Sequence, residues 1–160
     1  MTTVRDLGEH ALIARLRSRV TNLPAHIEIG IGDDAAAIAP PRSELEIVTT
    51  DALIEGVHFR RDWTAPDAIG HKALAVNLSD LAAMGATPRA ALLSLALPET
   101  LPVAEFDALL DGFLALAAAT ATQSERNASV TTMPDQTIVG VLRATENTAT
   151  KLKTTSRLSV

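Results

Sequence analysis

The clearest structural signal in the sequence is the stretch KALAVNLSDLAAMGATPRAALLSLALP, residues 72–98. Its first half has apolar residues at helical spacing, and the run RAALLSLALP has the length and continuity of a buried strand. Gly85 and Pro88 lie between the two halves, where these residue types commonly end a helix. Upstream, Thr64 is a candidate N-cap and Pro66 suits the first helical turn. The sequence therefore predicts a long helix followed by a core strand.

Further helical and strand patterns flank this stretch on both sides. Helical spacing of apolar residues recurs in RDLGEHALIARLRSRV (5–20) and PVAEFDALLDGFLALAAAT (102–120). Three short segments have strand character: AAAIAP (35–40), ELEIVTTD (44–51) and LIEGVHF (53–59). Because 47% of the 160 residues are hydrophobic, we expect one domain with a sizeable core.

Composition argues against several classes of protein. A net charge of −5, with no cluster of Lys and Arg, disfavours a nucleic-acid surface, and the single Trp and three Phe residues supply few base-stacking platforms. The absence of cysteine removes disulfides, thiolate catalysis and Cys-ligated zinc. No stretch has the length of a transmembrane helix, and the N-terminus lacks the apolar core of a signal peptide. We therefore expect a cytoplasmic protein that binds neither nucleic acid nor a membrane.

Four aspartates are predicted to border the core. Asp33 and Asp34 follow the Gly-x-Gly turn of GIGDDAAAI, and Asp51 ends a predicted strand. Asp80 lies three residues after Asn77, so both share a face of the long helix. A carboxylate beside the core is costly unless its charge is compensated. Bound divalent cations would compensate several together, and oxygen ligands without cysteine favour Mg²⁺ over zinc or copper.

Each candidate residue also has a purely structural interpretation. An aspartate after a glycine turn commonly caps that turn. Asp51 can simply end its strand, and Asp80 can pair with Lys72. His58 fits a half-buried structural histidine, and the pair Arg60–Arg61 is expected to be solvated. Spacing alone does not distinguish a metal-binding cluster from a set of turn and capping residues.

Three segments together carry a family resemblance. IGIGDDAAAI, VTTDALIEGVHF and KALAVNLSDLAAMGATPRAALLSLALP occur in this order, and they closely resemble the N-terminal domain of the thiamine-monophosphate kinases. That family belongs to the ATP-binding superfamily of aminoimidazole ribonucleotide synthetase and selenophosphate synthetase. The resemblance covers about residues 5–116. It implies an α+β fold with a mostly antiparallel sheet, helices on one face, and a homodimer paired through the sheets.

The resemblance also implies a role for individual residues. His58 matches the family position that contacts thiamine monophosphate, and Asp33 is expected to support the site through hydrogen bonds. The implied Mg²⁺ ligands are Asp34, Thr49, Thr50, Asp51 and Asp80.

The implied reaction is ATP-dependent phosphorylation of thiamine monophosphate to thiamine diphosphate, with Mg²⁺ as cofactor. Magnesium ions would cancel the repulsion between the donor and acceptor phosphates. The attacking atom is a substrate phosphate oxygen that is already ionised at neutral pH. No protein nucleophile or strong general base is needed, so no catalytic residue is assigned.

The resemblance ends where the composition changes. Ser and Thr make up 14 of residues 117–160 but only 12 of residues 1–116. The family's Gly-Gly-Asp segment has no counterpart in the sequence, nor does the family's C-terminal domain, and the one strand candidate is TIVGVLRAT (137–145). We therefore expect a kinase domain over 1–116 and a divergent tail over 117–160, produced by a disrupted reading frame or by natural divergence. Two alternative functions stay open: a non-catalytic remnant that dimerises or binds nucleotide, and another synthetase of the superfamily.

Overall fold

The computed structural model describes residues 1–20, 25–32, 35–40, 42, 45–120, 126–132 and 138–146. The helices are α1 (Val4–Leu7), α2 (Glu9–Arg17), α3 (Pro66–Ala83) and α4 (Val103–Ala119). The strands are β1 (Ile27–Ile29), β2 (Ala37–Ile38), β3 (Glu46–Thr49), β4 (Leu53–Ile54), β5 (Ala86–Leu97), β6 (Arg126–Thr132) and β7 (Ile138–Glu146). Within these ranges, the structure contains no helix with both the length and the apolar character needed to cross a membrane.

The main sheet has the strand order β3-β7-β5-β6, and β4 also pairs with β7. Every pairing in this sheet is antiparallel except that of β5 with β6. β1 and β2 form a separate antiparallel pair. The predicted fold class, α+β with a mostly antiparallel sheet, is confirmed.

The helices cover one face of the main sheet. Alternate residues of β5 are buried in one hydrophobic cluster with side chains of α2, α3 and α4. The β5 residues in this cluster include Ala91, Leu93, Leu95 and Leu97. Successive strand side chains point to opposite faces, so Ser94 lies on the other face, where it is exposed. The cross-strand register places Val48 of β3 and Ala90 of β5 opposite the same β7 residue, Arg143. Val48 therefore shares the helix-free face and is 63% exposed.

Two glycines allow α3 and α4 to approach closely. A Cβ atom on Gly70 would lie 1.8 Å from the carbonyl oxygen of Leu109. A Cβ atom on Gly112 would lie 1.9 Å from the carbonyl oxygen of Asp67. Both distances are far below van der Waals contact. The two helices can therefore pack this closely only because glycine has no side chain at either position.

A charged cluster joins α2 to α4. The Arg15 guanidinium donates to both carboxylate oxygens of Asp107, at 2.6 and 2.5 Å, and Arg19 donates to the same carboxylate at 2.8 Å. These hydrogen bonds, chiefly the one from Arg15, lower the pKa of Asp107 from its usual value. The bidentate geometry makes this pair more directional than a typical surface ion pair.

Three local predictions differ from the structure. The predicted first helix is interrupted at Gly8, whose φ of 74° departs from helical geometry. Thr64 is not the N-cap of α3: Ala65 takes that position without a side-chain bond, while Pro66 begins the helix as expected. The predicted strand LIEGVHF is confined to β4, because the chain turns at Gly56 with a φ of 81°.

The region after α4 contributes two strands. β7 coincides with the predicted strand TIVGVLRAT and occupies the centre of the sheet. β6 lies in a segment for which the sequence indicated no regular structure. Its parallel pairing with β5 is a contact between distant residues, which a weak local pattern cannot reveal. The rest of the predicted tail lies outside the described residues.

Candidate functional site

The end of β3 meets α3 at a hydrogen bond between two predicted metal ligands. The Thr49 hydroxyl donates to Oδ2 of Asp80 at 2.9 Å, although the residues are 31 positions apart in the chain. β3 is held by β7, and α3 packs against both of these strands. The sheet topology therefore brings a hydroxyl and a carboxylate together from separate elements.

The residues that follow β3 lie on the surface. Thr50 and Asp51 are exposed, and Asp51 accepts a hydrogen bond from the backbone N–H of Ala52 at 3.1 Å. Asp80 is exposed as well. The expectation that these carboxylates border the core is wrong for Asp51 and Asp80, because their positions at a strand end and on an outer helix face leave them in solvent. Burial therefore does not demand a counter-ion for either residue.

The structure describes the glycine turn through Gly32 but not the two residues that follow it. Gly32 has a φ of 116°, and a Cβ atom there would lie 3.1 Å from Nη1 of Arg17. A side chain at Gly32 would therefore crowd the Arg17 guanidinium, as well as straining the backbone. The two aspartates that follow, Asp33 and Asp34, lie outside the described residues. Their roles therefore stay predictions of the sequence.

The donor chemistry of this region suits a hard cation. Thr49, Thr50, Asp51 and Asp80 offer only oxygen atoms, which Mg²⁺ prefers over nitrogen or sulfur ligands. Among the described residues, however, no group of three or more His, Cys, Asp or Glu side chains is arranged to hold a metal ion. Asp33 and Asp34, the two acidic residues that follow the glycine turn, are not among these residues.

His58 lies on an exposed turn that is held at several points. Its Nδ1 accepts a hydrogen bond from the backbone N–H of Ile54 at 3.0 Å. Its carbonyl oxygen accepts a hydrogen bond from Nζ of Lys72, on α3, at 2.6 Å. The interpretation of His58 as half-buried is therefore wrong, and so is the alternative that pairs Lys72 with Asp80. Sequence reasoning assigned no function to Lys72, because no local pattern shows that a helix residue reaches the turn.

The arginines next to this turn are paired. Arg61 donates to Glu55 at 2.8 Å, and Arg60 donates to Asp62 while its guanidinium lies 4.1 Å from the centre of the Trp63 ring. The hydrogen bond from Arg60 lowers the pKa of Asp62. Arg60 is exposed, as expected of a solvated side chain, whereas Arg61 is only partly exposed, and each arginine has a carboxylate partner.

Asn77 is the one buried polar residue close in sequence to Asp80. Its side chain is 1% exposed, and its Nδ2 donates to the carbonyl oxygen of Ala73 at 3.0 Å. Its Oδ1 has no hydrogen-bond partner among the described residues. Asn77 therefore faces the core rather than the surface shared by Thr49 and Asp80.

A comparison with protein families finds one matching family model. The model described as "AIR synthase related protein, N-terminal domain" matches residues 32–141. The match begins at Gly32 and includes Thr49 of β3, Asp80 of α3 and the first part of β7.

Several thiamine-monophosphate kinases are also similar in sequence to this chain. The thiamine-monophosphate kinase of Bacillus subtilis (strain 168) is 45% identical over 91 residues, which are 57% of this chain and 28% of that protein. The thiamine-monophosphate kinase of Mycobacterium tuberculosis (strain CDC 1551 / Oshkosh) is 41% identical over 110 residues, 69% of this chain and 32% of that protein. The matched segment thus spans about a third of each relative or less.

Solved structures share the fold. The crystal structure of thiamine-monophosphate kinase from Stenotrophomonas maltophilia K279a has a TM-score of 0.71 and 41% identity, covering 89% of this chain and 44% of that one. The structure described as "AaThiL complexed with AMPPCP and TMP" has a TM-score of 0.61 and 32% identity, covering 91% of this chain and 44% of that one. The chain therefore corresponds to less than half of each solved protein.

Proposed function

The chain belongs to the AIR synthase related proteins through their N-terminal domain, and on that premise we propose that it serves the ATP-dependent phosphorylation of thiamine monophosphate to thiamine diphosphate. The similarity to named thiamine-monophosphate kinases supports this choice over the synthetases of the same superfamily. A relative solved with AMPPCP and TMP supports a nucleotide and a thiamine phosphate as the ligands. A cytoplasmic location stays a prediction of the sequence.

One observation carries the proposal: the hydrogen bond between Thr49 and Asp80. It joins two segments to which the family resemblance assigns metal ligands, VTTD and NLSD. A set of unrelated capping residues would have no reason to meet in this way. The exposure of Asp51 and Asp80 keeps both carboxylates accessible to a ligand from solvent.

In the proposed site, acidic and hydroxyl side chains bind the nucleotide through Mg²⁺. The ion, when bound, would supply positive charge that offsets the repulsion between donor and acceptor phosphates. The side chains proposed to hold it are Asp34, Thr49, Thr50, Asp51 and Asp80. The Thr49 hydroxyl orients the Asp80 carboxylate from one side. Asp33 is proposed to support the adjacent turn through hydrogen bonds.

His58 is proposed to contact the thiamine monophosphate. His58 is exposed, and the backbone of Ile54 holds its ring through Nδ1. The family resemblance supports the contact with the substrate. Because the acceptor phosphate is ionised at neutral pH, the ring need only bind and orient it, and no proton has to be removed.

Domain organisation and assembly are part of the same proposal. We infer a kinase domain over residues 1–116 and a divergent tail over 117–160, and β7 of this tail lies between β3 and β5 in the main sheet. A homodimer through the helix-free face of the sheet would cover Val48. The alternative function is a domain that binds nucleotide or dimerises without turnover, since the sequence has no Gly-Gly-Asp segment.

The proposal is tested by calorimetric titration of the full chain with ATP and Mg²⁺, followed by an assay for thiamine diphosphate. Asp80→Asn removes charge while keeping shape, so it should weaken Mg²⁺-dependent ATP binding about tenfold or more without unfolding the protein. Asp67→Asn, an exposed change at the opposite end of α3, is the matched control and should leave ATP binding unchanged. Binding without product favours the non-catalytic alternative. Equal binding by Asp80→Asn and wild type would contradict the metal role of Asp80.

A further inference from the structure

A hydrogen bond within the turn favours one tautomer of the His58 ring. Because the backbone N–H of Ile54 donates to Nδ1 at 3.0 Å, Nδ1 must carry a lone pair. In a neutral imidazole the proton is then on Nε2. A charged imidazolium, or the other tautomer, would lose this hydrogen bond because Nδ1 would itself be a donor.

Backbone hydrogen bonds close the turn between Ile54 and Phe59. The carbonyl oxygen of Ile54 accepts from the N–H of Val57 at 3.1 Å and from the N–H of His58 at 2.8 Å. Gly56 donates its N–H to the carbonyl oxygen of Phe59 at 2.8 Å, and Phe59 is only 7% exposed. Ile54 therefore contacts His58 through both of its backbone polar groups, while Phe59 anchors the far side of the turn in the core.

Lys72 adds a contact from a different element. Its Nζ donates to the carbonyl oxygen of His58 at 2.6 Å. In the part of the chain that the structure describes, its ammonium group makes no ion pair, whereas Arg61 and Arg60 are neutralised by Glu55 and Asp62. Lys72 therefore places a positive charge at the backbone of His58, where it can attract an anionic ligand.

We propose that residues 54–59, held by Lys72, lock His58 as the neutral Nε2–H tautomer, which donates a hydrogen bond to an oxygen of a phosphorylated ligand. Lys72 acts as a positioning residue, because it reaches the backbone of His58 from α3 and links the turn to the helix that carries Asp80. The identity of the ligand, thiamine monophosphate, rests on the proposed function. The tautomer and the role of Lys72 rest on the geometry alone.

The test is ¹⁵N–¹H correlation of histidine rings in the full labelled chain at neutral pH. The His58 signals are assigned by their loss in His58→Gln, since the sequence has four histidines. We expect an unprotonated Nδ1 and a protonated Nε2 in the wild type. Lys72→Met should give a mixture of tautomers and bind thiamine monophosphate about tenfold more weakly, whereas Lys72→Arg should behave like the wild type in both respects.

The outcomes separate the parts of the proposal. A protonated Nδ1, or rapid exchange between tautomers in the wild type, would overturn the lock. An unchanged His58 spectrum in Lys72→Met would overturn the positioning role, whatever happens to affinity. If the tautomer is as expected but neither thiamine monophosphate nor inorganic phosphate shifts the Nε2 signal, the ligand assignment and the proposed function fail while the lock stands.

Discussion

At the scale of single residues, the site depends on side chains that are close in space and exposed to solvent. Thr49 and Asp80 form the best-defined contact between two predicted ligands, and neither Asp51 nor Asp80 is buried. The original reason for expecting a cation, the cost of burying carboxylates, therefore does not apply to these two residues. What supports a metal role is instead their oxygen-only chemistry, the contact between Thr49 and Asp80, and the family to which the chain belongs.

Removing the Thr49 hydroxyl should weaken nucleotide binding. Thr49→Val keeps the β-branched shape that suits a strand but removes the donor to Asp80. Because a hydrogen bond to a charged group contributes roughly 1.5–3 kcal/mol, we expect Mg²⁺-dependent ATP affinity to fall about tenfold, measured by calorimetry. Thr49→Ser, which keeps the hydroxyl, should retain most of the affinity. Equal affinities for Thr49→Val and wild type would show that the contact does not matter for binding.

At the scale of secondary-structure elements, two kinds of contact hold the helices against one another. Small residues let α3 and α4 come together, and the Arg15–Asp107 pair connects α2 to α4. α3 matters most for function, because it carries both Lys72 and Asp80 and packs against β3 and β7. A displacement of α3 would therefore disturb both Asp80, the proposed metal ligand, and Lys72, the proposed positioning residue.

A methyl group at the helix contact should destabilise the domain. In Gly70→Ala, the new Cβ would lie 1.8 Å from the carbonyl oxygen of Leu109, so the helix backbones must move apart. We expect a loss of about 3 kcal/mol in the free energy of unfolding, measured by urea denaturation. Ser79→Ala, an exposed change on the same helix, should alter stability by less than about 0.5 kcal/mol. A stable Gly70→Ala variant would mean that α3 and α4 are farther apart than described.

The ion pair between α2 and α4 should make stability depend on acid pH. The folded-state pKa of Asp107 is lowered, chiefly by the hydrogen bond from Arg15, so the folded state favours the ionised form. The stabilisation is present above the unfolded-state pKa of about 4 and is lost as pH falls through the lower folded-state pKa. Asp107→Asn should therefore cost about 1 kcal/mol at pH 7, and the difference from wild type should shrink in more acidic solution.

Thermal unfolding between pH 2 and pH 7 measures this difference. Asp111→Asn is the control, because its carboxylate is 65% exposed and lies 3.7 Å from Arg19. It should have a smaller effect at every pH. A difference between Asp107→Asn and wild type that stays constant down to pH 2 would contradict the pKa shift.

At the scale of the whole molecule, the helix-free face of the sheet is the surface to test for self-association. Val48 of β3 is 63% exposed there, and Ser94 of β5 is also exposed. A homodimer paired through the sheets, which the family resemblance implies, would remove this apolar side chain from water. The helices already cover the other face, so a second copy would have to pair with the face that carries Val48.

A charge on the open sheet face should prevent dimer formation. We expect sedimentation equilibrium to show a dimer for the wild-type chain and at least tenfold weaker association for Val48→Lys, because a lysine there would have to be desolvated in the interface. Ile29→Lys introduces the same charge at an exposed apolar residue of β1, outside the main sheet, and should leave association unchanged. A monomeric wild-type chain would contradict the predicted dimer.

The sequence by itself determined the elements whose signals are local. The periodicity of residues 65–85 predicted α3 to within a few residues, and the apolar run after it predicted β5. Short motifs also indicated the family and selected Thr49, Asp80 and His58 as candidates. Such signals are readable because helix spacing, strand length and motif chemistry are properties of neighbouring residues.

Only the tertiary structure decided which of these residues meet and how exposed they are. β6 forms by pairing with β5, the Lys72 side chain reaches the carbonyl of His58 rather than Asp80, and Asp51 and Asp80 face solvent. The position of β7 between β3 and β5 likewise reflects long-range pairing. Contacts of this kind arise from the way sheet and helices pack together, so no window of adjacent residues contains the information that specifies them.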